Sequence, residues 1–71
     1  MNVTERNKLE GFSNTLKVFE EYGIYPTNTI INELRELYIA IGHQPTGTCG
    51  GCTERIMFTL IDHCKEEGIQ L

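Results

Sequence analysis

Seventy-one residues confine the chain to a single domain, residues 1–71, near the size at which one hydrophobic core barely suffices without a metal, a disulfide or a partner. A hydrophobic share of 39% with 23% charged residues fits a globular chain and does not suggest disorder. The formal net charge of -4, with Arg6, Lys8, Lys17, Arg35, Arg55 and Lys65 scattered singly, argues against free nucleic acid as a partner and for a basic protein surface.

The opening MNVTERNKLEGF lacks the apolar region of a signal peptide, and no run approaches the ~20 apolar residues of a membrane span. The expected location is cytoplasmic, where three cysteines are expected as thiols or metal ligands and not as a disulfide framework.

In the first segment Leu9, Phe12, Leu16 and Phe19 are spaced 3, 4, 3, and Tyr22 extends the row, so the pattern predicts a helix from Val3 to Tyr22. Asn2 with Glu5 three residues on forms a capping-box pattern. Gly11 weakens the middle, so a start at Ser13 is the alternative, and Gly23 ends the helix in either case.

The second segment carries Ile30, Ile31, Leu34, Leu37, Tyr38 and Ile41 on one wide face. Pro26 places its start close to residue 28, with Thr27, Asn28 or Thr29 as cap, and Gly42 ends it. The third segment runs from about Cys52 to Glu67, capped by Thr48 or Cys49, with Met57, Leu60, Ile61 and Cys64 as its stripe and Gly68 as its stop. Ile56 and Phe58 widen that stripe. No run alternates with the period of a half-buried strand. The expected fold is an all-α, small three-helix bundle with a C-x-x-C turn at the start of the third helix.

Cys49 and Cys52 can supply half of a tetrahedral zinc site, with His43 as third ligand. His63 and Cys64 cannot complete it, because a helix places His63 some 16 Å beyond Cys52. A thiol redox role for Cys49 and Cys52 is the other chemical reading, since thiols at a helix N-terminus are activated, although no strand precedes the motif. The plainest reading makes Cys49 and Cys52 small packing residues, with Cys64 in the core and His43 and His63 placed by the negative ends of helices. Against it stand Gly50 and Gly51, two costly glycines in a first helical turn. No other arrangement suggests catalysis, so no enzyme and no cofactor are expected, zinc being the alternative.

The stretch LYIAIGHQPTGTCGGCTERIMFTL, through Leu37, Tyr38, Gly42, Cys49, Cys52, Arg55 and Leu60, resembles small uncharacterised proteins of tailed bacteriophages. The resemblance covers about a third of the chain and implies a virus-encoded accessory protein in a bacterial cytoplasm, binding a larger host or phage protein. Surplus apolar surface also fits a homodimer. The contacts expected on these grounds are Tyr38, His43, Arg55 and Phe58, because aromatic and Arg residues carry interface energy disproportionately. Tyr38 is equally well explained as a core residue. The rival module, stapled by zinc through Cys49, Cys52 and His43, would have nucleic acid as its partner.

Overall fold

The computed structural model describes residues 1–47 and 49–71. Among them lie four helices and no strand: α1 (Val3–Gly11), α2 (Ser13–Tyr22), α3 (Asn28–Ala40) and α4 (Gly50–Glu66). The all-helical expectation holds, and the three-helix count is corrected to four.

The difference lies at Phe12, which ends α1 and begins α2 with φ -96 and ψ 3. Both starts suggested by the sequence are used. Asn2 caps α1 in a complete capping box with Glu5, and Ser13 opens a second helix. A straight helix over all 20 positions would be about 30 Å long. The longest dimension of the whole fold is 29 Å. The break lets α1 turn away from the line of α2 and reach α3 and α4, so that Leu9 and Leu16 both become fully buried.

Helix α4 is the centre of the assembly. Helices α2 and α3 each pack on it while making no contact with one another, and α1 touches the other three. The core comprises Leu9, Leu16, Phe19, Leu34, Leu37, Tyr38, Ile56, Met57, Leu60, Ile61, Cys64 and Ile69. Five of these twelve come from α4, and Ile69 follows it. Cys64 is the core residue its position in the stripe predicted. Tyr22 is not: the helix ends just beyond it, and its ring is 71% exposed.

Both α3 and α4 end in a Schellman motif, in which a glycine of positive φ sends the next amide back to the carbonyl five residues earlier. Gly42, with φ 107, lets His43 N–H donate to the Tyr38 carbonyl at 3.3 Å. Gly68, with φ 71, lets Ile69 N–H donate to the Cys64 carbonyl at 2.8 Å, which folds Ile69 into the core. Thr27 caps α3 through its hydroxyl, which accepts from Ile30 N–H at 3.4 Å.

Polar links close the ends. Arg6 on α1 donates to the Glu67 carbonyl at 3.2 Å, and Lys65 on α4 pairs with Glu20 on α2 at 3.2 Å. Among the described residues no helix is long and apolar enough to cross a membrane.

Candidate functional site

Three features carry chemistry or unsatisfied surface, and α4 positions all of them. The first is aromatic. Phe19 of α2 is buried beneath two rings that meet it edge-on, Tyr25 at 5.0 Å and Phe58 at 5.2 Å between centroids. Phe58 and Tyr25 each remain 47% exposed, and the neighbouring Tyr22 and Ile24 are more exposed still. Ile56, the other residue widening the third apolar stripe, is buried, so Phe58 alone of that pair is surplus to the core.

The second feature is a pair of histidines. The Schellman turn at Gly42 lays the His43 ring on that of Tyr38, nearly parallel at 19° and 4.6 Å between centroids. His63, in the last turn of α4, meets the other edge of His43, with the two Nε2 atoms 2.8 Å apart. Nδ1 of His63 faces the Glu66 carboxylate at 3.6 Å. The two histidines, each placed at the C-terminal end of a helix as expected, also meet in a direct contact across the α3–α4 junction.

The third feature is a disulfide joining Cys49 to Cys52. Cys49 is the N-cap of α4, and its Sγ accepts from the Cys52 N–H at 3.1 Å. The extended cap followed by a helical turn brings the two Cα atoms to 5.1 Å, inside the range that a disulfide spans. The structure therefore differs from the expectation of thiols or metal ligands. Nor do these cysteines pack in the interior: Cys49 is exposed and Cys52 half-buried. A Cβ added at Gly50 or Gly51 would meet nothing within 4 Å, and neither residue has positive φ. Their effect is to leave this end of α4 bare of side chains around the sulfurs.

Cys64 is the one free cysteine. Burial first, and then the nearby Glu20 carboxylate, push its thiol up from 9.0 to about 11. It is a packing residue held protonated, not a nucleophile.

The four expected contact residues divide into two groups. Phe58 and His63 lie about 140° apart around α4, because five residues advance a helix by one full turn and that remainder. Phe58 faces α2, while Tyr38 and His43 lie with His63 on the α3 side. Arg55 is exposed one turn before Phe58, on the same side of α4. Tyr38 itself is buried. Of the expected metal ligands, Cys49 and Cys52 hold each other and His43 holds His63. Among the described residues no three His, Cys, Asp or Glu side chains converge as a ligand set.

Sequence reasoning did not find His63 as a partner of His43, nor Tyr25 as part of the aromatic surface. The Gly42–His43 sequence after a helix was a usable signal for the first, since a Schellman turn fixes where the next side chain goes. No protein-family model, curated protein or solved structure matches the chain.

Proposed function

We propose that this chain is a small non-enzymatic module that acts by binding a larger protein through the surface centred on Phe58. One observation carries the reading: Phe58 and Tyr25 both stay half exposed against a single buried ring, Phe19, and the chain neighbours of Tyr25, Tyr22 and Ile24, are exposed as well. A 71-residue chain needs its large side chains for its own core, and two rings left half outside over Phe19 represent apolar area that only another molecule can cover. Aromatic rings with a cation at the rim, here Arg55, are the composition of interface hot spots. The acidic net charge favours a neutral or basic surface on the partner. The resemblance to small phage proteins supports a phage-encoded accessory protein acting in the bacterial cytoplasm on a host or phage protein.

The test is capture from bacterial lysate by the wild-type chain, Phe58→Ser and Arg55→Ala in parallel, with molar mass in solution measured for each. A defined protein retained by wild type and lost with Phe58→Ser supports the proposal. A wild-type dimer that Phe58→Ser converts to monomer assigns the surface to self-association. Identical capture by all three removes Phe58 from the function.

A second reading has its own observation, the exposed disulfide at the N-terminus of α4. The helix dipole and the cap N–H stabilise a Cys49 thiolate, which is the leaving group a thiol–disulfide exchange protein requires. Equilibration with glutathione buffers tests it. A disulfide that opens only at the strongly reducing end is structural, and one poised near the glutathione pool supports exchange. The zinc-stapled alternative with Cys49, Cys52 and His43 requires the disulfide to be reduced, and metal analysis under reductant tests that.

A further inference from the structure

We propose that His43 and His63 form a two-histidine chelate for a divalent transition-metal ion, with Nε2 of each ring as a ligand and water in the remaining positions. Two imidazole Nε2 atoms 2.8 Å apart are already nearly placed to share one ion. Ligand bonds of 2.0 to 2.1 Å at a tetrahedral angle need the nitrogens about 3.3 Å apart, so the rings separate by roughly 0.5 Å on loading. That movement is within reach of two half-buried side chains whose backbones remain fixed.

The surroundings prepare each ring for this role. Tyr38 stacks on His43 and holds its plane, and the Schellman turn fixes its backbone. Glu66 faces Nδ1 of His63, which favours the tautomer with its proton on Nδ1 and the Nε2 lone pair turned toward His43. A carboxylate behind the ligating imidazole is the usual outer shell of a metal-bound histidine. With His63 in that tautomer, the proton of the 2.8 Å contact belongs to Nε2 of His43. Loading moves that proton to Nδ1 of His43, and both Nε2 lone pairs then face the ion, so neutral rings bind it without net release of protons.

Two imidazoles with open positions suit Cu2+, Ni2+ and Zn2+, and Cu2+ leads on intrinsic affinity. Because His43 follows α3 and His63 belongs to α4, a bound ion ties those two helices together across 20 residues of chain. The site includes no cysteine, so it remains available when Cys49 and Cys52 are joined.

The experiment titrates Cu2+, and separately Zn2+, into tag-free protein with its disulfide intact, using calorimetry and thermal melts. His43→Gln and His63→Gln are run alongside, after circular dichroism shows that each retains helix. One ion per chain, a raised melting temperature, and at least tenfold weaker binding in either variant support the chelate. Should a variant lose its fold, imidazole nitrogen NMR of the wild type decides instead: Zn2+ must shift Nε2 of both histidines together. No saturation, binding equal to wild type in either variant, a shift at only one histidine, or binding that appears only after reduction of the disulfide overturns the proposal.

Discussion

Cys64 offers a direct measurement of how well the centre of α4 is sealed. Its side chain is fully buried, and its thiol is pushed up to about 11 by burial and by Glu20. At pH 8 roughly 0.1% of it is thiolate, against roughly 9% for a thiol at the ordinary 9.0, a hundredfold deficit before access is considered. Reagents attack only the thiolate, and they reach it only when α4 opens, which multiplies the protection. With Cys49 and Cys52 joined, a chromogenic disulfide reagent at pH 8 should see one slow thiol in the native chain and one fast thiol in guanidinium. The native rate should be lower by well over a hundredfold. Because the folded state holds this proton more tightly than the unfolded state, the associated stability is complete below pH 9 and is lost as pH rises from 9 through about 11. The full loss is about 3 kcal/mol, so denaturant midpoints should fall across that window and fall less in Cys64→Ala, after allowing for its own cavity. A native rate within tenfold of the unfolded rate would refute the account of a sealed, protonated thiol. Three fast thiols on unfolding would refute the disulfide.

Five further outcomes are expected. Reducing the disulfide should lower stability by about 2 kcal/mol in urea unfolding, the chain-entropy value for a loop of about four residues. Leu60→Ala, fully buried on α4, should cost roughly 3 kcal/mol, comparable to the whole stability of so small a domain, so its circular dichroism should show substantial unfolding near room temperature. Gly51→Ala should raise the urea midpoint by an amount equivalent to about 1 kcal/mol, since the position is helical and open, whereas Gly42→Ala should lower it by at least as much, since φ 107 is denied to alanine. Asn2→Ala, which removes the capping box, should cost about 1 kcal/mol and speed amide exchange first in α1.

The helices with strong local punctuation were legible. Thr27, Gly23, Gly42, Gly68 and the Asn2–Glu5 pair end or begin helices where their chemistry requires it. The break at Phe12 was not, because Leu9, Phe12, Leu16 and Phe19 suit one straight helix as well as two. What separates them is the position of α3 and α4, which a local pattern does not contain. Spacing along a helix correctly separated His63 from Cys52, yet the contact His63 does make crosses 20 residues and depends on how α3 lies on α4. The C-x-x-C spacing was plain, whereas its state of oxidation is set by redox conditions and not by the order of residues.

The arrangement of α2 and α3 on opposite flanks of α4, without contact between them, also governs when the chain can fold during synthesis. A ribosome that has released α1, α2 and α3 has released Leu9, Leu16, Phe19, Leu34 and Leu37 but not α4, on which α2 and α3 both pack, leaving α1 as their one link. Until Leu60, Ile61 and Cys64 emerge, the earlier helices are short ones held only through α1, each marginal in water by itself. Folding therefore waits on α4, and a ribosome stalled at the Gly50–Gly51 pair would carry an exposed, aggregation-prone set of apolar faces rather than a partly built domain.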